Sequence, residues 1–174
     1  PFGSFVDERV TALAVNYMRR LATGTRPWLL TVGYHRPHNP YQYPRKYLDK
    51  QAAVANVDVA AVRRRHPSQP LIAYADRNAC TRVKCSREQR RYYRGAVSFV
   101  DSMLGLVLNE LRRLKRDNTT LVALHSDHGF SLGENGAWEK RTMWDHASRV
   151  PLFIRYPSIP GVAGVKIRVP VELT

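Results

Sequence analysis

The sequence is short of cysteine, of acidic side chains and of long apolar runs, and each shortage removes a class of protein. Its two cysteines, Cys80 and Cys85, are too few for a four-thiolate zinc site, and no nearby histidine pair completes one. They leave either a small disulfide-closed loop, which fits an oxidising compartment, or two free thiols. No apolar stretch reaches the length of a membrane span, so no membrane partner is expected. The opening residues contain no basic n-region with an apolar h-region, hence no signal peptide or transit segment. No internal repeat or low-complexity tract is present, which sets aside repeat architectures.

The acidic shortage is the largest imbalance: 14 Asp plus Glu against 28 Lys plus Arg give a net charge of +14. Such a balance favours polyanionic partners such as nucleic acid, acidic polysaccharide or anionic lipid. One portion of a larger protein can equally carry an unbalanced share of its charge. What is present is a globular composition, 174 residues with 44% hydrophobic, enough for one domain with a core. The chain begins at Pro1 and ends on Val169-Pro170-Val171-Glu172-Leu173-Thr174 with strand-like alternation still running. Both ends therefore read as cut from a longer protein.

Apolar spacing gives the organisation. Val10, Leu13, Ala14, Tyr17, Met18 and Leu21 follow one helical face, with Ser4 or Asp7 to cap its start and Gly24 to suit its end. Residues 28–34 then read as a buried strand. Arg45-Lys46-Tyr47-Leu48 suits a short helical turn, and residues 49–86 read as an irregular insertion or lid containing the run Arg63-Arg64-Arg65. That run reads as a solvated face or, less simply, a polyanion contact. Ser86-Arg87-Glu88-Gln89 fits a capping box ahead of a long helix with the stripe Tyr93, Ala96, Val97, Val100, Met103, Leu104, Val107, Leu108, Leu111 and Leu114. Asp117-Asn118 ends it and feeds a buried strand over residues 119–124, the helix–turn–strand unit of an α/β fold. Residues 152–156 and 165–169 read as further strands. Asn118-Thr119-Thr120 is a glycosylation sequon on that turn.

Two loops carry the candidate chemistry. Residues 125–140 follow the 119–124 strand and hold Asp127, His128, three glycines and Lys140. Ligands of open α/β sheets bind beyond the carboxyl ends of strands. Asp127 offers a hard oxygen and His128 a borderline nitrogen to a cation, although Asp and His are also common turn formers. Lys140 adds a positive charge suited to an anionic group, and a metal plus a lysine points to phosphoryl-like or sulfuryl-like transfer. The second loop, His35-Arg36-Pro37-His38-Asn39-Pro40, follows the 28–34 strand and is stiffened by proline. Its histidines sit where a pocket rim would be.

Together these motifs resemble the sulfatase family, most closely its iduronate-2-sulfatase branch. Gly33-Tyr34-His35-Arg36-Pro37-His38-Asn39-Pro40 resembles that branch's Gly-Tyr-His-Lys-Pro-His-Ile-Pro, and residues 126–140 resemble its Ser-Asp-His-Gly-Trp-Ala-Leu-Gly-Glu-His-Gly-Glu-Trp-Ala-Lys. Lys140 falls thirteen positions after Asp127, as that pattern requires. The segment 146–152 and the sequon at Asn118 also fall where the branch has similar features, while residues 49–86 match weakly.

The resemblance implies an alkaline-phosphatase-like α/β sandwich, with a central mixed, mostly parallel sheet flanked by helices, of which residues 1–174 would be part of one catalytic domain. It implies a sulfuric ester hydrolase acting on glycosaminoglycan (heparan or dermatan sulfate) residues, lysosomal or secreted, with a sulfated polysaccharide as partner and no nucleic acid. Asp127 and His128 would be ligands of a calcium ion, Lys140 would hold the sulfate, and His38 would contact the ester near the leaving oxygen. By donor chemistry alone a histidine ligand favours zinc or a transition metal over calcium; calcium rests on the resemblance. The family's nucleophile is a formylglycine made from cysteine in Cys-x-Pro/Ser/Ala-x-Arg by a formylglycine-generating enzyme. Neither Cys80-Thr81-Arg82-Val83-Lys84 nor Cys85-Ser86-Arg87-Glu88-Gln89 fits it, and the paired aspartates that complete the metal site are absent. The nucleophile is thus expected in a missing N-terminal part, and the isolated chain is expected to be inactive. Phe130 for Trp and Asn135 for His depart from the pattern beside the pocket. Two other readings stand: a phosphate or phosphonate ester hydrolase of the same superfamily, and a non-catalytic basic module that binds polyanions.

Overall fold

Helix α1 (Val6–Ala22) lies along the much longer α3 (Val83–Arg113), and the two loops of interest project from the elements packed around this pair. The computed structural model describes residues 5–62, 64–70, 72, 80 and 83–172. The short α2 (Arg45–Asp49) lies between α1 and α3 in sequence and packs on α3. Strands β1 (Val122–His125), β2 (Ser131–Leu132) and β3 (Trp138–Glu139) follow, then α4 (Asp145–Ser148) and β4 (Leu152–Arg155).

The buried face of α1 is Asp7, Thr11, Ala14, Val15 and Met18. Apolar spacing placed Leu13 and Tyr17 on that face, but they are 56% and 49% exposed. The helix is rolled because its first two turns make polar tertiary contacts: the Asp7 carboxylate accepts the His35 and Arg36 N–H groups, and Thr11 Oγ1 lies 3.3 Å from Tyr34 Oη. Asp7 does not cap the helix. The N-cap residue is Phe5, without a side-chain cap, and Ser4 lies outside the described residues.

Helix α3 starts at Val83, upstream of the expected capping box, so Ser86 sits buried inside its first turns. The centre of its buried face is Phe99, completely covered, which the apolar stripe read from sequence did not include. Phe99 meets Tyr47 of α2 and Phe5 at ring-centroid distances of 5.2 and 5.9 Å, and with Met103 these side chains form the core. Burial of such side chains is the main favourable term in folding. The α1–α3 contact is closed by charge: Glu110 Oε1 accepts from Arg19 Nε at 2.8 Å and from Arg113 Nη2 at 2.6 Å. Hydrogen bonds from Arg113 and Arg19 hold the Glu110 carboxyl down to about 2.

The chain's own strand pairing is antiparallel. β1 pairs with β4, Leu124 opposite Phe153 and His125 opposite Leu152, and β2 pairs with β3. Among the described residues both ladders are antiparallel, and none of the parallel pairing expected of the whole sheet is made among them. The connection from β1 to β4 carries β2, β3 and α4 and returns the chain alongside β1 in the opposite direction. The strands read as buried are largely uncovered: β4 is exposed throughout, and Leu124, Phe153 and Ile154 are 40%, 63% and 62% exposed. Residues 28–34 are extended, with Trp28, Leu30, Val32 and Tyr34 half-buried and Leu29 90% exposed, but join no ladder among the described residues. Their apolar runs encode two covered faces, and the described residues do not cover both. Residues 165–169 form no strand and are exposed.

Within the expected insertion, residues 63, 71, 73–79 and 81–82 lie outside the described residues, including Arg63 of the arginine run. The described part packs inward through Val57 and Ala60, 1% and 7% exposed. Cys80 and Cys85 are joined in a disulfide with Cα atoms 5.5 Å apart. No described helix is long and apolar enough to cross a membrane.

Candidate active site

Gly129 fixes where the first loop can go. A Cβ at this position would be driven into the carbonyl group of His146, and the Gly129 N–H donates to the Ala147 carbonyl at 2.8 Å. The loop leaving β1 is thereby docked on α4. Phe130 stacks on Tyr93 of α3 with centroids 5.6 Å apart, and Tyr93 meets Tyr41 edge-on at 6.4 Å. This aromatic row places Phe130 against α3 and links it to Tyr41, next to the histidine loop.

The β2–β3 hairpin then returns the chain. Gly133 needs its positive φ of 102° for the turn, where an L side chain is strained. Arg90 of α3 holds the hairpin from behind: its Nε donates to the Leu132 carbonyl at 3.1 Å and its Nη2 pairs with Glu134 Oε1. Glu134 Oε2 in turn accepts the Leu132 N–H at 2.6 Å. The hairpin delivers Lys140 to the end of β1.

There Lys140 Nζ lies 3.0 Å from His38 Nε2 and 2.9 Å from His128 Nε2. His38 and Lys140 come from opposite ends of the chain, and a second bond beside them joins the same loops: Asn39 Nδ2 donates to Glu139 Oε1 at 3.3 Å. The ring protons follow from the partners. His128 Nδ1 faces the Gly129 carbonyl at 2.7 Å and His38 Nδ1 faces the Asn39 carbonyl at 2.5 Å, so both Nδ1 atoms carry hydrogen. Both Nε2 lone pairs then accept from the ammonium. An ammonium has three donors; two reach imidazoles and one is left for an anion.

Asp127, by contrast, faces solvent, its side chain 86% exposed. Its Oδ1 accepts the His128 N–H at 3.0 Å. Partial burial works to raise its carboxyl, but His128, the backbone N–H groups of Asp127 and His128, and Lys140 outweigh it and leave the group below the ordinary aspartate value.

Asp127 Oδ2 and His128 Nε2 are 3.7 Å apart. Ligand atoms at about 2.3–2.6 Å from one Ca²⁺ can have this separation at neighbouring positions. The pair therefore fits as two adjacent ligands of one cation. It does not make a whole site: among the described residues no group of three or more His, Cys, Asp or Glu side chains converges. His128 Nε2 is also the atom that Lys140 approaches, so one lone pair serves either partner.

The structure thus brings His38, His128 and Lys140 together, with Asp127 at the rim. Asn118 is exposed on the turn before β1, and its Oδ1 accepts from Arg155 Nη2 at 3.4 Å. Beside the hairpin a cavity of about 430 Å³ is lined by Arg64, Arg65, His66, Asn135 and Trp144 among others. Sequence reading gave no role to Arg90, Glu134, Asn39 or Glu139. Their partners lie 44 and 100 positions away, and no local spacing signals such pairs.

Comparison with known proteins gives the family. The sulfatase family model matches residues 3–168. Iduronate 2-sulfatase of Mus musculus is 32% identical over 90% of this chain and 31% of its own length. Choline-sulfatase of Rhizobium meliloti (strain 1021) is 33% identical over 90% of this chain and 33% of its own. Among solved structures, the phosphonate monoester hydrolase of Agrobacterium radiobacter superposes with a TM-score of 0.75 at 27% identity, covering 92% of this chain and 36% of that one. The chain spans about a third of the length of the curated relatives it matches. A match that runs through both histidine-bearing loops and nearly the whole sequence leaves one assignment: the chain belongs to the sulfatase family.

Proposed function

We propose that this chain supplies the sulfate-holding wall of a sulfuric ester hydrolase acting on sulfated glycosaminoglycan residues. The observation that carries the reading is the convergence of Lys140 with His38 and His128. Lys140 would neutralise charge on the sulfuryl oxygens through its third N–H, an interaction that strengthens as charge builds up in the transition state. While Lys140 keeps its charge for the sulfuryl oxygens, His38 would serve the leaving oxygen as donor once its Nε2 has taken a proton from solvent. Its ring is held by the Asn39 carbonyl, so the proton is presented in a fixed direction. Asp127 and His128 would hold the divalent cation, calcium by resemblance, which supplies Lewis-acid withdrawal of charge from the ester.

The formylglycine nucleophile and the paired aspartates have no counterpart among the 174 residues, so in this reading they come from outside them, as does any contact with the formylglycine-generating enzyme. Residues 1–174 act as part of one catalytic domain, with 49–86 as its variable insertion. A glycan on Asn118 and a lysosomal or secreted location go with the iduronate-2-sulfatase likeness. The basic wall of Arg64 and Arg65 would face an acidic polysaccharide.

A second reading, hydrolysis of phosphonate or phosphate monoesters, is favoured by the Agrobacterium likeness. Competition separates them. Phenyl sulfate and a phenyl phosphonate monoester are titrated against the chain by NMR, with and without Ca²⁺. The sulfate reading expects phenyl sulfate to perturb the His38 and His128 rings at the lower concentration. Preference for the phosphonate would move the assignment to the second reading. Binding of both that survives Lys140→Ala would support a non-catalytic polyanion module instead.

A further inference from the structure

Asp7 is among the least exposed polar residues of the chain, at 2%, and it does not cap its own helix. A buried carboxylate must be matched by donors. Its donors are the backbone of the other candidate loop: Oδ1 accepts the His35 N–H at 2.8 Å and Oδ2 accepts the Arg36 N–H at 3.0 Å. Two consecutive N–H groups, 28 and 29 positions away, are thus gripped by the two oxygens of one side chain. Of the short side chains only a carboxylate offers two acceptors in that arrangement; an amide has one oxygen and would turn an NH2 toward the second donor.

The grip passes to His38 through a single turn. The His38 N–H donates to the His35 carbonyl at 3.1 Å, so His38 is referred back to the residue that Asp7 holds. The Arg36 side chain, itself only 8% exposed, donates from Nε to the Gln42 carbonyl at 2.8 Å and from Nη1 to the His38 carbonyl. The His35 ring lies against the His38 ring with centroids 5.0 Å apart. Asp7 itself sits in the first turn of α1. A continuous set of bonds therefore runs from the Asp7 carboxylate to the residue whose imidazole faces Lys140.

We infer that Asp7 is a positioning residue of the candidate site: its carboxylate clamps the His35–Arg36 backbone and so holds the His38 imidazole at Lys140. The inference rests on the proposed function only in taking His38 as a working group. The clamp itself touches neither ester nor cation.

The test uses the full 174-residue chain in four forms: wild type, Asp7→Ala, Asp7→Asn and Glu110→Gln. The last removes a different buried carboxylate from the same helix pair and controls for loss of stability alone. Histidine ring nitrogens are read by long-range ¹H–¹⁵N correlation at temperatures where circular dichroism shows each form folded, and inorganic sulfate is then titrated. The expected result is a His38 Nε2 resonance displaced in Asp7→Ala, displaced less in Asp7→Asn, and unchanged in Glu110→Gln. Sulfate affinity is expected to fall about tenfold in Asp7→Ala, because the Lys140 ammonium loses one of the two imidazoles that aim it. An unchanged His38 ring in Asp7→Ala overturns the inference, as does an equal displacement in Glu110→Gln. A wild-type chain that binds no sulfate overturns the proposed function instead, and the ring spectra still decide the role of Asp7.

Discussion

Lys140 Nζ stands 3.0 Å from His38 Nε2 across 102 positions of sequence, with His128 Nε2 at 2.9 Å on its other side. One ammonium bridging two imidazoles requires both rings to be neutral Nδ1–H tautomers, the less common form in water. Long-range ¹H–¹⁵N spectra are expected to show that tautomer for His38 and His128. In Lys140→Ala both rings are expected to drift toward the mixture of an unrestrained histidine. An Nε2–H tautomer in the wild-type chain would contradict the bridge.

The Glu110 cluster sets an acid limb. Its folded carboxyl sits near about 2 against an ordinary value of 4.5. A lowered folded-state value means stability that is fully present above the unfolded value and is lost as pH falls through the folded one. Unfolding free energy is therefore expected to decline between about pH 5 and pH 2, and this decline should be shallower in Glu110→Gln. Urea titrations at several pH values decide it. Parallel curves for the two proteins would rule out the cluster as a source of the acid limb.

Two glycines are expected to respond in opposite directions. Gly105 lies inside α3 with open space where a Cβ would go, so Gly105→Ala should stabilise the chain by about 0.5–1 kcal/mol. Gly129→Ala meets the His146 carbonyl group and should destabilise it by about 1–3 kcal/mol while displacing α4 from the site loop. Chemical denaturation gives both signs. Destabilisation by Gly105→Ala, or tolerance at Gly129, would show the packing at that position to be different.

The purified 174-residue chain is expected to release no phenol from phenyl sulfate, with or without Ca²⁺. Neither cysteine lies in the nucleophile motif that the family resemblance calls for, and both are tied in a disulfide. Turnover above the buffer rate that vanishes in Lys140→Ala would mean that another group in this chain can attack the ester.

The site was legible in sequence to the extent that its residues fall in contiguous motifs. His38, Asp127, His128 and Lys140 stand in two short segments with fixed spacing, and the structure joins the two histidines around the Lys140 ammonium. What could not be read were the tertiary partners. Asp7 looked like a helix cap because its only sequence neighbours are those of a helix start, whereas its donors lie on another loop. Phe99 escaped the apolar stripe of α3 because the stripe was drawn through Tyr93, Ala96 and Val97; Val97 is 41% exposed and Phe99 is covered. Periodicity fixes how many faces a helix has, and only neighbouring elements decide which is covered. Of the four expected strands, those at 119–124 and 152–156 lie close to their expected places, whereas residues 28–34 join no ladder among the described residues and 165–169 form no strand. Pairing direction and cover depend on other segments, which local alternation does not encode.

Titration of inorganic sulfate into the wild-type chain, Lys140→Ala and Lys140→Arg, followed at the His38 and His128 rings, tests the sulfate-holding wall most directly. The expected result is saturable perturbation of both rings in the wild type, weakened about tenfold or more in Lys140→Ala, because a charge-assisted hydrogen bond of about 1.5–3 kcal/mol is removed. Lys140→Arg should retain part of the affinity, since the charge stays while the compact three-donor head is lost. Equal affinity in all three proteins, or perturbation confined to Arg64 and Arg65, would contradict the account.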